Sequence, residues 1–539
     1  MKQQGYILML AIIFILVIAV MGNLIAYLFS SRAALSAAQF GGLNAFYTAS
    51  SGLEIGSRLL TMPALSGSPA RMACASITGN SETTHAALGG GTVTLTTLNS
   101  SPIFAASSLS GALSASATSL AVSDAAGFAP RGRVLIDREA IDYASLSGNT
   151  LQGVTRGVSG TRAATHANNA AVSQYQCSLD VEAGIPSIAS PTSERELEQS
   201  VQLQDGFLVG FKTGSNFTLS HWNQPTELNW NGLSVSGGSS AANLNAISLL
   251  SNADGWAAGD QANNSFIFLH WNGSNWSLTT LSGACNNQNL LGISMISSTQ
   301  GFAVGANYTP NCGNGNVKRY TVLTWNGSAW SLLSPSTSPS VPADNRNNAN
   351  LNAVHVIDTV GTGTANIGFA VGDNGSILKY NGSNWVTDSS PTTRNLTGID
   401  TVSTSEAWAV GVNGTIIRWN GSSWSNVSSP TNTKLNAIAM LDTNQDGLAD
   451  VGWAVGNSSQ ILFYNGISWS NANDGNQHLF GISIINPNDA WAVGANGTVY
   501  HWNGNDWSNV DLGTTQSLTA ISLLPQGTQV TSAWRQVFH

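Results

Sequence analysis

The chain has 539 residues, more than one ordinary domain accommodates, and a formal net charge of −9. Only 9% of its residues are charged, against about 25% in typical soluble proteins, and this acidic balance argues against phosphate backbones, so no nucleic-acid partner is expected. Seventeen tryptophans among abundant Gly, Ser, Thr and Asn point to a β-rich surface protein rather than a helical enzyme.

Residues 7–29, ILMLAIIFILVIAVMGNLIAYLF, hold no charge and are long enough to cross a bilayer as a helix. Lys2 and the α-amine precede this run, which predicts a cytoplasmic N-terminus and an exported remainder. A secretory signal peptide fits less well, because the run exceeds an ordinary h-region and no small-residue cleavage site follows promptly. The junction MKQQG|YILML, a short basic leader ending in Gly5 before an aromatic residue, resembles the prepilin leader of type IV pilins. The resemblance implies a leader at 1–5, cleavage after Gly5 by a prepilin peptidase, methylation of Tyr6, and a transmembrane and pilin-like helix over 6–62. The family usually carries glutamate at the fifth mature position, which is Leu10 here. Pilus-tip minor pilins and the pseudopilins of type II secretion also lack it, and LNAFYTASSGLEIGSRLL (43–60) resembles the helix they carry after the membrane. A plain signal anchor is the alternative.

A pilin-like head is expected over 63–184, with a β-prone run GGGTVTLTTL (89–98) whose partner SQYQCSLDVEA (173–183) arrives much later. The stretch between, about 106–172, reads as an inserted β module resembling small modules of phage-tail and bacterial surface proteins, recognisable by GNTL.GVTRG..GT.A..H. Arg156, Arg162 and His166 invite a catalytic reading, but the resemblance implies a structural module. Residues 185–200, with Pro186 and Pro191, read as a linker. Four cysteines in an exported chain suggest two disulfides. Of the three connectivities, Cys74 with Cys177 and Cys285 with Cys312 are chosen by proximity alone.

From 201 to 539 three signals recur. The first is an aromatic-Ala-Val-Gly strand, as in Phe302–Gly305, Phe369–Gly372, Trp408–Gly411, Trp453–Gly456 and Trp491–Gly494. The second is WNGSNW at 271 with relatives at 325, 380, 419, 464 and 502, where Asn-Gly predicts a type I′ hairpin turn. The third is an LNAI-like strand at 244, 290, 351, 396, 435, 479 and 518. Units of roughly 40–45 residues with three or four strands are β-propeller blades. The first unit lacks its opening strand and the LTAI at 518 lacks a blade after it, which predicts a seven-bladed ring closed by the C-terminus, with SAWRQVF (532–538) as a competing strand. The repeats resemble the photosystem-assembly-factor type, a resemblance that specifies fold and not function. The expected class is mainly β, with an N-terminal helix.

No nucleophile–base pair emerges from the propeller half, whose two glutamates are Glu227 and Glu406, so no enzymatic activity is expected. Glu406 reads as a turn residue in series with Asp254, Gln300 and Asp489, and His221, His270 and His501 occupy a position tolerant enough to read as surface. The run Asp442-x-Asn444-x-Asp446-Gly447-Leu448-x-Asp450 follows the start of an EF-hand-type loop and predicts one calcium ion, with the Leu448 carbonyl as a ligand. Position twelve is Trp453 rather than a bidentate glutamate, and an Asx-turn loop is the alternative. The expected function is a minor-pilin-like surface protein displaying its propeller for adhesion or partner binding at a pilus tip. Its partners would be other minor pilins, the pilus assembly machinery, the prepilin peptidase and a protein or glycan ligand, with residence in the inner membrane before assembly. The alternative is an inner-membrane-anchored assembly factor whose propeller grips other envelope proteins.

Overall fold

The computed structural model describes strands Thr84–Leu88 and Gly91–Thr97 and the chain from 103 to 537, apart from internal stretches of which 186–192, 224–230, 236–242, 310–317 and 340–349 are the longest. The leader, the apolar run and the expected helix through residue 62 lie outside the described residues, among which no helix is long and apolar enough to cross a membrane.

The C-terminal half forms seven four-stranded antiparallel sheets. Blade 2 is typical: Leu244–Ser251 lies innermost, followed outward by Asp254–Gly259, Ser265–Trp271 and Trp276–Ser282. The inner strands of blades 3 to 7 are Leu290–Ser297, Leu351–Ile357, Leu396–Thr401, Leu435–Leu441 and Leu479–Asn486. Blade 1 takes its inner strand, Leu518–Leu523, from the end of the chain, and this strand pairs antiparallel with Asp205–Thr213. Each inner strand packs against the next around the ring, the last returning to the first. The closure that the repeat order predicts is therefore present, and the propeller stands on its strand pairing.

The LNAI motif has a physical cause in this ring. Asn245 Nδ2 donates to the Leu290 carbonyl of the next blade, Asn352 to Leu396, and Asn436 to Leu479. Thr397 and Thr519 hydroxyls do the same toward Leu435 and Leu244. A carboxamide or hydroxyl at the second motif position thus satisfies a carbonyl across each of these seams. The glycine ending each Ala-Val-Gly strand has a steric cause: a Cβ on Gly372 would sit inside contact distance of the Asn350 carbonyl oxygen.

The WNGxxW turns differ from the type I′ expectation. Trp271 pairs with Trp276 across the strands, which leaves a four-residue loop, and Gly273 has φ +89° while Asn272 does not enter the left-handed region. Asn272 Oδ1 instead accepts the amides of Ser274 and Asn275, at 3.0 and 2.9 Å. The pairing of the two tryptophans fixes a four-residue loop organised by an Asx turn rather than the two-residue turn that Asn-Gly predicts.

The inserted module lies between strands of the head. Gly91–Thr97 pairs with Ala171–Ile185, as the spacing predicts, and the module's strands between 119 and 158 enclose a core of Leu109, Val134, Ile136, Ile141, Tyr143 and Leu151. The expected linker 185–200 is different. Ser193–Gln202 is a strand in register with Gln176–Ile185, and Arg535–Val537 pairs on its other edge, so the C-terminal segment joins the head sheet rather than blade 1. The register sets Asp180 opposite Glu198 and Glu182 opposite Glu196, a like-charge alternation that conceals a strand from a pattern search.

Candidate functional site

The module is seated on the propeller face that carries the turns between first and second strands. Asp137, at φ +45° in the hairpin between Gly132–Ile136 and Glu139–Tyr143, accepts the Ser298 amide of blade 3 at 2.7 Å. Thr165 donates its amide to the Gly361 carbonyl of blade 4 at 2.6 Å, and Leu135 and Ala140 join the apolar cluster that holds Phe207, Leu249 and Leu524. A cleft of about 210 Å³ remains between Glu139, His166, Ser297 and Asp358.

Behind this seam lies the module's buried ionic cluster. Glu139 is 1% exposed and accepts Arg156 Nε and Nη2 at 2.7 Å each, the amides of Gly157 and Ala164 at 2.9 Å each, and His166 Nε2 at 2.7 Å. His166 Nδ1 lies 2.9 Å from Asp137. Every polar group of the cluster has a partner, so Arg156 and His166 hold the module together; Arg162 lies outside the described residues. Burial alone would lower the basicity of His166, but hydrogen bonds and charges from Asp137 and Glu139 outweigh it and raise its pKa above 6.5. Burial would raise Glu139, but the His166 and Arg156 bonds and the Ala164 amide outweigh it and bring its pKa below 4.5.

The pH dependence has a definite sign. The His166 contribution is full below 6.5 and lost as pH rises through its raised folded value; the Glu139 contribution is full above 4.5 and lost as pH falls through its lowered one. Hydrogen exchange of residues 105–174 should therefore show greatest protection between about pH 4.5 and 6.5, weakening on either side.

The acid and histidine series of the repeats form pairs. His270 Nε2 lies 2.9 Å from Asp254, His501 Nε2 lies 2.9 Å from Asp489, and Arg418 lies 2.5 Å from Glu406. Each base stacks on or over the tryptophan it faces across the ladder, two residues after the acid: Trp256, Trp491 and Trp408. This corrects two readings. His501 is buried rather than a surface residue, and Glu406 is fully buried, accepting the Ala449 amide of blade 6 besides its ion pair. Part of the signal was present: acid accompanies base in blades 2, 5 and 7, Gln300 accompanies Thr324 and Val451 accompanies Phe463, whereas in blade 4 the base Lys379 accompanies Ile367. The side chain of His221 is outside the described set.

A central channel of about 410 Å³ runs between the inner strands. One layer is apolar, with Ile247, Ile293, Val354, Ile399, Ile438, Ile482 and Ile521 contributed by successive blades. The next is polar and stitches the ring: Ser248 Oγ accepts the Met295 amide, Ser294 the Val356 amide, His355 Nδ1 the Thr401 amide, Asp400 the Met440 amide and Ser522 the Leu249 amide. These groups serve seams between blades, and His355 Nδ1 lies 2.7 Å from Asp400 across one of them.

The acidic loop is organised by its own backbone. Asp442 Oδ1 accepts the Gln445 amide at 2.7 Å and Oδ2 the Gly447 amide at 2.8 Å. Asn444 accepts the Asp446 amide, Asp446 the Leu448 amide, and Asp450 the Thr443 amide. Blade 4 repeats the geometry without the extra acids: Asp358 accepts the amides of Gly361 and Gly363, three and five residues on. The twin loop is the module's seat, whereas the blade 6 loop leaves Asn444, Asp446 and Leu448 exposed. Its donor chemistry, carboxylate, carboxamide and carbonyl oxygen, suits a hard cation. Among the described residues, however, no three His, Cys, Asp or Glu side chains converge as metal ligands.

Gly5, Tyr6 and Cys74 fall outside the described residues, as do the side chain of Cys177 and the whole of Cys312. Cys285 is disulfide-bonded, with a partner outside the described set.

No family model and no curated protein matches the sequence. Among solved structures the chain is similar to YCF48 bound to D1 peptide, with 16% identity and a TM-score of 0.38 over 54% of this chain and 92% of that one. It is also similar to YCF48 from Cyanidioschyzon merolae (16%, TM-score 0.36, 51% of this chain and 87% of that one) and to the WD40 β-propeller domain of Doa1 (12%, TM-score 0.37, 51% and 87%). These neighbours are propellers like the ring described above.

Proposed function

We propose that the chain is a non-enzymatic surface protein whose propeller binds a partner, carried on a minor-pilin-like N-terminal segment at the tip of a type IV pilus or related fibre. The supporting observation is architectural: the ring closes on its own last strand, and the inserted module is pinned to one face by Asp137 and Thr165. Such a head is bulky and self-contained, which suits a subunit present once at a filament end better than one repeated along a close-packed shaft. The second reading, an assembly factor retained in the inner membrane, keeps the same head and differs in where the mature chain resides. Under the pilin-like reading the leader should be removed. Intact mass of the membrane-extracted protein should show loss of Met1–Gly5 and a methyl group on Tyr6, and a mature start beyond residue 15 would contradict the pilin-like reading.

Within this reading, the loop of Asp442, Asn444, Asp446, Leu448 and Asp450 takes one calcium ion at the modest affinity of extracellular sites, about 10⁻⁴–10⁻³ M. Calorimetry on the full chain should find one site, abolished by Asp446→Ala and retained in Asp358→Ala, which alters the twin loop alone. Absence of heat at millimolar calcium would leave the loop as an Asx-turn structure that needs no metal.

A further inference from the structure

We infer that the seam between blades 3 and 4 is a binding site for a neutral sugar ring, an inference that rests on the partner-binding reading of the propeller. It begins with missing volume. In blades 2 and 7 a histidine stacks on the second-strand indole, His270 on Trp256 at 4.2 Å and His501 on Trp491 at 4.0 Å between centroids. In blade 5 the Arg418 guanidinium lies 5.1 Å from the Trp408 ring, and in blade 6 Phe463 lies 4.6 Å from Trp453. Blade 4 places Lys379 4.4 Å over Trp419 of its neighbour. Blade 3 is reduced at both positions, with Thr324 opposite Phe302. A short hydroxyl side chain and a smaller ring leave the seam unfilled, and a cavity of about 330 Å³ opens there. That is the lower end of the range for small-molecule sites, about 300–1,000 Å³.

The lining matches one ligand chemistry. Half-buried Trp325 supplies the accessible aromatic surface, with Phe302 and Tyr380 buried behind it, and the two hairpin turns bring exposed Asn326 and Asn384 to the rim. Asn326 Oδ1 is committed to the amides of Ser328 and Ala329, while its Nδ2 and the Asn384 carboxamide make no hydrogen bond among the described residues. Among the described residues no lining side chain is charged. The wall is held in advance: Gln300 accepts the Ala365 amide at 2.5 Å and hydrogen-bonds Tyr380. A pyranose offers an apolar C–H face to an aromatic ring and an edge of hydroxyls to carboxamides, which is the combination this cavity presents. A phosphate or a carboxylate would find no counter-charge among these described residues.

The test uses the full-length protein in detergent, titrated with maltose, lactose and N,N′-diacetylchitobiose, followed by saturation-transfer NMR and tryptophan emission. At least one of these neutral disaccharides should give a saturable signal. Trp325→Ala should weaken it by about tenfold or more. Thr324→His, which restores the stacking side chain used in blades 2 and 7 and preserves the fold by circular dichroism, should weaken it equally. Saturation by none of the three sugars, or binding undiminished in Thr324→His, would overturn the assignment. Location is read separately by filament shearing, so a failed titration with the chain present in sheared filaments removes this site and leaves the display reading standing.

Discussion

A chain ending at residue 517 should lose the single cooperative unfolding transition of the propeller. The removed strand supplies the inner edge of blade 1, where Gly206 to Gly210 pair with Leu523 to Leu518. It also carries Leu518 at 0% exposure, buried Ile521, the Thr519 hydroxyl bond to the Leu244 carbonyl and the Ser522 bond to the Leu249 amide. Two apolar side chains of this kind contribute about 1.5–3 kcal/mol each on burial, before the ladder and the two stitches are counted. The sum exceeds about 5 kcal/mol, comparable to the whole net stability of an ordinary domain. Two open sheet edges would then face solvent and invite aggregation. Leu518→Asp makes the same test without shortening the chain, and should cost more than about 3 kcal/mol because it buries an unpaired charge. Denaturant unfolding followed by tryptophan fluorescence reads both; a loss below about 1 kcal/mol in either would contradict a ring closed by this strand.

Glu139→Gln should destabilise the inserted module by about 3–5 kcal/mol while sparing the propeller. The carboxylate is the shared acceptor of Arg156, His166 and two backbone amides, all within 2.9 Å. The amide that replaces it presents one acceptor oxygen and a donor NH₂ to a site built wholly of donors, so a buried guanidinium loses half of its bidentate partner. Glu139→Ala should be worse, and Arg156→Lys should also fail because an ammonium cannot reproduce the fork. Exchange of residues 105–174 and limited proteolysis would register the local loss, whereas the blade strands should keep their protection. Unchanged exchange across the module in Glu139→Gln would contradict the structural role assigned to the cluster.

The ring was legible because its motifs have steric and hydrogen-bonding causes that repeat: glycine where a neighbouring carbonyl approaches, Asn or Thr where a carbonyl across the seam needs a donor, Leu where the inner strand is fully buried. Closure followed from strand order alone. What escaped were features that require knowing which residues face each other. The pairing of Asp489 with His501, and of Glu406 with Arg418, joins positions on adjacent strands that no local window contains. The strand Ser193–Gln202 was hidden by glutamates that oppose other acids in register. The seat of the module on Gly361 and Ser298 joins segments far apart in the chain. The cavity between blades 3 and 4 arises from two residues unremarkable singly, Thr324 and Phe302, and becomes visible against the side chains other blades place there.

The central claim, a partner-binding propeller displayed at a filament tip, is tested most directly by shearing filaments from cells with and without the prepilin peptidase and probing for the C-terminal half. The account predicts the chain in the sheared fraction of peptidase-positive cells, at a few copies per filament, and its retention in the membrane when the peptidase is absent. A chain that stays wholly in the membrane fraction of piliated, peptidase-positive cells would contradict display and favour the membrane-anchored assembly factor.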